Sequence, residues 1–192
     1  MRKILVVDNY DSFTYNLIHI IRSLGYKNQL TIKRNDKINL DEVEGYEHIL
    51  LSPGPGLPKD SGLMPEIICR YGGHKNILGV CLGHQAIAEA FNGELYNLPS
   101  VFHGIVTNIN LTQEKDELFK QLPMRFKACR YHSWVVRSTS IRKNFHLTSL
   151  SDEGLVMGIK HKQFRLRGVQ FHPESLMTEN GIKIMENWLT IC

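Results

Sequence analysis

Two short stretches carry side chains whose types and spacing suit nucleophilic catalysis. The first is Gly79-Val80-Cys81-Leu82-Gly83, a G-x-S-x-G pattern with cysteine in place of serine. In that pattern a tight strand-to-helix turn lifts the nucleophile above a sheet, and the flanking glycines relieve crowding. The apolar run Ile77 to Val80 reads as a buried strand. Ala86, Ala90 and Phe91 then fall at helical spacing, with Asn92-Gly93 as a stop. Cys81 would thus stand at a helix N-terminus, where unpaired N–H groups and the macrodipole favour thiolate over thiol. The N–H of Leu82 is placed to face a developing oxyanion. A buried structural cysteine between two loop glycines would give the same pentapeptide.

The second stretch is His172-Pro173-Glu174. A cysteine nucleophile needs a base, and the base needs an orienting carboxylate. Pro173 disfavours helix at His172, and residues two apart on an extended chain point the same way. Glu174 can then reach one ring nitrogen while the other faces Cys81. Alone, the tripeptide would equally describe a surface histidine beside a solvated glutamate, or a metal-ligand pair. Beside a cysteine elbow it completes a Cys-His-Glu triad. A third stretch, Ser52-Pro53-Gly54-Pro55-Gly56-Leu57-Pro58, is stiffened by three prolines. Pro55 has no N–H, so a donor aimed from this loop belongs to Gly54 or Gly56. Such a loop suits an oxyanion or carboxamide site; it also suits a plain surface turn. No Gly-Lys-Ser/Thr follows, so it is not a P-loop.

The elements that must position these groups alternate. Ile4 to Val7 suits a strand buried on both faces. Phe13, Leu17, Ile20, Ile21 and Leu24 form a helix stripe closed by Gly25. Strands follow at Gln29 to Arg34 and His48 to Leu51, with a helical turn from Leu40 between them. Leu63, Met64, Ile67, Ile68 and Tyr71 make a second stripe, which also carries Cys69. This alternation predicts an α/β fold, a doubly wound, mostly parallel sheet with the site beyond the carboxyl ends of its strands. Asp8-Asn9, Ser52-Pro53 and Cys81 all sit at such ends. After Gly93 the texture becomes strand-rich. Strands are expected at Leu95-Tyr96, Gly104 to Ile109, Phe126 to Arg130, Val135-Val136, Phe145 to Leu150, Leu155 to Lys160 and Gly168 to Phe171. Asp116 to Leu122 reads as a short helix, and a closing helix carries Ile182, Met185 and Leu189. The second half is therefore expected to form an antiparallel flap.

The chain has 192 residues, enough for one domain with a substantial core. Its net charge of +4 is scattered rather than blocked, which gives no case for nucleic acid or membrane. Cysteines at 69, 81, 129 and 192 show neither C-x-x-C nor zinc-finger spacing, so no disulfide scaffold or metal site is indicated. The opening apolar run is too short for a signal peptide, and no stretch reaches transmembrane length. Free thiols in a reducing cytoplasm are expected.

Val80-Cys81-Leu82-Gly83-His84-Gln85, Ser52 to Gly56 and Gln170-Phe171-His172-Pro173-Glu174-Ser175 together resemble the class I (triad) glutamine amidotransferases. Asp8-Asn9-Tyr10-Asp11-Ser12-Phe13-Thr14 and Arg130-Tyr131-His132-Ser133 narrow the resemblance to the small subunits of anthranilate synthase and aminodeoxychorismate synthase. It covers essentially the whole chain, 1–192. It implies a flavodoxin-like sheet and hydrolysis of L-glutamine to glutamate and ammonia through a glutamyl thioester. The ammonia would pass to a chorismate-binding large subunit. No cofactor is implied for this chain, and Mg²⁺ is implied for the partner. Carried over by motif, Cys81 is the nucleophile, His172 the base and then acid, and Glu174 the orienter. Gly54 or Gly56, on either side of Pro55, and Leu82 would supply oxyanion donors. Gln85 and the backbone of Ser133 and Trp134 would hold the α-amino and α-carboxylate ends of glutamine. Trp134 replaces the family's usual Leu. Ile105 replaces a Lys after His103-Gly104, which puts a usual partner-facing contact in doubt. A stand-alone γ-glutamyl hydrolase or peptidase would use the same triad. A flavodoxin-like binding module would show no thiol reactivity toward glutamine analogues.

Overall fold

The computed structural model describes residues 3–99 and 102–191. Cys192 lies outside them. The first half alternates as expected: β1 (Ile4–Asp8), α1 (Thr14–Ile21), β2 (Leu30–Arg34), β3 (His48–Leu51), α2 (Met64–Tyr71), β4 (Asn76–Val80) and α3 (Leu82–Ala90). Then come β5 (Leu95–Asn97), β6 (Ile105–Leu111), β7 (Arg125–Arg130), β8 (Trp134–Val136), α4 (Ser138–Ile141), β9 (Phe145–Ser151), β10 (Val156–His161), β11 (Leu166–Val169) and α5 (Gly181–Thr190).

One nine-stranded sheet runs β2-β1-β3-β4-β11-β10-β9-β6-β7. Its first five strands are parallel, and β1, β3, β4 and β11 are buried along their whole length, which explains the apolar runs of β1, β3 and β4. The antiparallel strands join directly onto β11 through β10, so what reads as a flap is the far half of the same sheet. Strands β5 and β8 form a separate two-stranded ribbon. Two apolar layers cover the faces of the sheet. One contains Leu17, Ile21, Ile184 and Trp188 from α1 and α5; the other contains Ile67, Ile68, Ala86 and Ile87 from α2 and α3. No helix among the described residues is long and apolar enough to cross a membrane.

Four local expectations need correction. The strand placed at Gly168 to Phe171 is Leu166–Val169, two residues earlier, because its register pairs Leu166 with Ile77 and Val169 with Val80. The helix expected over Asp116 to Leu122 is a single 3-10 turn, Glu117–Phe119, started by the Asp116 carboxylate accepting from Leu118 N–H at 3.1 Å. Ile182 is 59% exposed, since α5 buries Gly181, Ile184, Met185, Trp188 and Leu189 instead; Ile182 lies about 90° from the centre of that face. Cys69 is exposed as well, roughly 150° around α2 from the buried Met64, Ile67, Ile68 and Tyr71.

Candidate functional site

Cys81 occupies the turn between β4 and α3. Its backbone is at φ 52, ψ −99, a conformation that L-residues rarely adopt. The strained residue is fixed from both sides. Its N–H donates to the Val169 carbonyl at 2.8 Å, and its own carbonyl accepts the Gln85 N–H at 3.1 Å. The flanking glycines are required by close approach. A Cβ on Gly79 would fall onto the Gly83 carbonyl, and one on Gly83 onto the Leu51 carbonyl. The elbow expected from the pentapeptide is therefore present, with Cys81 at the N-terminus of α3 and 7% exposed.

His172 and Glu174 follow β11. His172 Nδ1 and Glu174 Oε1 are 2.6 Å apart, and both side chains are almost wholly buried. His172 is pinned by its backbone. Its N–H donates to the Cys129 carbonyl, and its own carbonyl accepts from the Thr178 hydroxyl at 2.6 Å, which in turn accepts Cys129 N–H at 3.0 Å. Burial would lower the His172 pKa, but hydrogen bonding and charge from Cys81 and Glu174 overcome this and hold it well above the ordinary histidine value. The site thus favours an imidazolium next to the Cys81 sulfur. Phe13 and Tyr131 flank the ring, at centroid distances of 5.5 and 5.0 Å.

The remaining expected residues gather around this centre. Gly54 packs between Asn9 and Leu82; a Cβ there would lie 2.6 Å from Asn9 Cβ and 2.7 Å from Leu82 Cδ2. Pro55 and Gly56 are exposed, and Gly56 (φ 76) faces Asp60, so Gly54 is the loop glycine against the elbow. Gln85 Nε2 donates to the Trp134 carbonyl at 2.8 Å and to Gln170 Oε1 at 3.1 Å. Gln170 Nε2 lies 3.6 Å from Cys81 Sγ. One amide chain therefore links the Ser133-Trp134 segment to the nucleophile. Sequence reasoning gives Gln170 no site role, although it lies inside a quoted motif, and none to Phe13 or Tyr131. Ile105 and Val106 are exposed on β6.

His132 completes the support. Its Nδ1–H donates to the Trp134 carbonyl (3.1 Å), and its Nε2 accepts from Arg130 Nε–H (3.2 Å), an arrangement that requires the neutral ring. Burial, then the Arg130 charge, lowers its pKa to about 3. Burial lowers that of His84 to about 4, opposed by the Gly168 backbone. The unfolded chain, with histidine pKa near 6.5, takes up protons that these two rings refuse. Their contribution to stability is full above pH 6.5 and falls as pH drops toward 4 and 3, by about 2 kcal/mol each at pH 5. His172, with a raised folded value, loses nothing over this window. Denaturant titrations at pH 7 and pH 5 should show this loss; equal stabilities would contradict buried neutral rings.

Thiol mapping provides a second check. Cys69 is exposed and should react with indiscriminate reagents, whereas Cys129 is buried. A glutamine-like electrophile should instead label Cys81, the thiol at the elbow beside an imidazolium. Labelling of Cys69 or Cys129 ahead of Cys81 by that reagent would contradict the site.

A nucleophile elbow at the carboxyl edge of a parallel sheet, with a buried histidine–carboxylate pair beside it, defines a cysteine-triad α/β enzyme. The chain belongs to the class-I glutamine amidotransferase family, whose model matches residues 5–192. It is 42% identical to anthranilate synthase component 2 of Cyanophora paradoxa over 97% of each chain. It is 41% identical to aminodeoxychorismate synthase component 2 of Escherichia coli, over 97% of this chain and 98% of that one. The aminodeoxychorismate/anthranilate synthase component 2 of Bacillus subtilis is 39% identical, over 97% and 95%. Among solved structures, one from Thermoplasma acidophilum, described as belonging to a GMP synthase, superposes with a TM-score of 0.87 at 27% identity, covering 98% of this chain and 92% of that one.

Proposed function

We propose that this chain is the glutaminase component of a chorismate-aminating synthase, hydrolysing L-glutamine to glutamate and ammonia for a chorismate-binding partner chain. The observation that carries the chemistry is the buried His172–Glu174 pair beside Cys81 at a strained elbow. The partner assignment rests on the component 2 relatives named above, which include both pathway types. No cofactor is assigned to this chain; Mg²⁺ is assigned to the partner.

In the proposed reaction the Cys81 thiolate attacks the side-chain amide carbon of glutamine. The negative charge that develops on the carbonyl oxygen is met by the N–H of Leu82 and a donor of the Gly54 loop. His172 gives its proton to the leaving nitrogen, the C–N bond breaks, and ammonia departs from a thioester. His172 then takes a proton from water as it attacks, and C–S cleavage returns the thiolate. Glu174 holds the ring orientation throughout. The Gln85–Trp134 contact fixes the backbone proposed to receive the amino-acid end of the substrate.

Ammonia made without an acceptor wastes glutamine, and the soft torsions of Gly54 and Gly56 allow an oxyanion donor to be presented or withdrawn. Such a donor changes the rate by roughly 10²–10³. The isolated chain is expected to hydrolyse glutamine slowly and to speed up by about that factor when the chorismate-binding partner, identified by co-purification, is added. An isolated chain already at full rate would favour the stand-alone γ-glutamyl hydrolase instead.

A further inference from the structure

The opening motif Asp8 to Thr14 has no role in the chemistry above, yet its side chains touch both halves of the catalytic centre. Asn9 is 2% exposed. Its backbone N–H donates to Ser52 Oγ at 2.9 Å, and its Nδ2 donates to the Ser52 carbonyl, also at 2.9 Å, and lies 3.3 Å from Met64 Sδ. Ser52 Oγ donates onward to the Pro53 carbonyl at 2.7 Å. Asn9 Oδ1 is itself held by Asn35 Nδ2 at 3.0 Å. Gly54 has no room for a side chain here: a Cβ would meet Asn9 Cβ at 2.6 Å, Leu82 Cδ2 at 2.7 Å and the Asn9 carbonyl at 2.9 Å. The Asn9 amide thus ties down the Ser52 end of the Gly54 loop, where Gly54 lies against both Asn9 and Leu82, the residue after the nucleophile.

Four residues on, Phe13 lies 5.5 Å from the His172 ring at 70° and 4.8 Å from Tyr131. The turn between them is rigid. The Asp8 carboxylate accepts from Tyr10 N–H (3.0 Å) and the Thr14 hydroxyl (3.2 Å) and pairs with Arg34 at 2.9 Å. Phe13 N–H donates to Asp11 Oδ1 at 2.7 Å, and Tyr10 sits at φ 60.

We propose that the turn 9–13 is a strut that positions the oxyanion loop through Asn9 and the base through Phe13, so that one segment keeps both in register with Cys81. Both are positioning residues. This rests on the glutaminase reading, in which the Gly54 loop meets an oxyanion.

The two arms predict different losses. Acylation by glutamine passes through an oxyanion; alkylation of Cys81 by iodoacetamide is a displacement at saturated carbon and does not. In the complex with the chorismate-binding partner, Asn9→Ala should lower kcat for glutamine by about tenfold to a hundredfold with KM within about threefold. Its rate of iodoacetamide alkylation at Cys81 should be unchanged. Asn35→Ala removes only the support of Asn9 and should give the same split with a smaller fall, which keeps the test open if Asn9→Ala does not fold. Phe13→Leu should slow both reactions, because the proton acceptor itself loosens, and Phe13→Tyr, which keeps the ring, should restore both. Equal losses of turnover and alkylation in the asparagine variants would overturn the Asn9 arm, as would full turnover. Full activity of Phe13→Leu would overturn the other arm. A wild-type complex without glutamine turnover would overturn the glutaminase reading and this proposal with it, whereas an active wild type matched by Asn9→Ala overturns this proposal alone.

Discussion

In the assembled synthase, Cys81→Ala should abolish glutamine-dependent product, by about 10⁴-fold or more, while product formed from added ammonium salt persists. The substitution removes the only atom proposed to bond to substrate. Little else should change, because the polar partners of the Cys81 sulfur are side chains of its own centre, the His172 ring and the Gln170 amide at 3.6 Å. Its backbone bonds to Val169 and Gln85 survive in alanine. In the proposed synthase, amination of chorismate belongs to the other chain and can take its ammonia from either source. Assaying the same preparation first with glutamine and then with ammonium separates the two steps. A mutant complex that fails with both would mean Cys81 does more than supply ammonia, and the two-site reading would fall.

His172→Ala should be comparably severe, again about 10⁴-fold or more, because triad members act as a unit rather than additively. The variant removes the imidazolium that faces the sulfur and the group that protonates the leaving nitrogen. Glu174→Ala should cost less, since Glu174 orients the ring and does not exchange a proton with substrate. The His172 ring would keep its backbone anchors to Cys129 and Thr178 and its flanking aromatics. Steady-state glutaminase rates of the three variants in complex check this. An active His172→Ala would exclude it as the base.

Much of this centre is legible in the chain because its information is local. The Gly79-x-Cys81-x-Gly83 spacing, set between a buried-strand run and a helical stripe, points to an elbow. His172 and Glu174 pair at 2.6 Å as residues two apart, but through a turn over Pro173 and Glu174, closed by Ser175 N–H donating to the His172 carbonyl, and not on the extended segment that Pro173 suggests. What is not legible depends on contacts between distant segments. Gln170 reads as part of a strand, and only the pairing of β11 beside β4 brings its amide to Cys81. Phe13 fits a helix stripe as well as any aromatic, yet it lies just before α1 and turns to His172. Ile182 and Cys69 escape the stripe argument because each helix offers several apolar candidates and its true face is set by neighbours, β-sheet on one side and solvent on the other. The continuation of the parallel strands into β10, β9, β6 and β7 is likewise a matter of edge pairing that no single segment encodes.

The positive-φ backbone of Cys81 has a consequence for how this protein can change over generations. Holding an L-residue at φ 52 costs on the order of 1–3 kcal/mol, a sizeable fraction of the total stability of a domain of this size. Glycine would occupy the same torsions without that cost, so the fold by itself favours losing the nucleophile. Lineages freed from the need for glutamine hydrolysis would therefore drift toward a more stable, inert elbow. A lineage that keeps cysteine there gives up stability at every generation, which makes position 81 a record of continuing selection for the reaction rather than for the architecture.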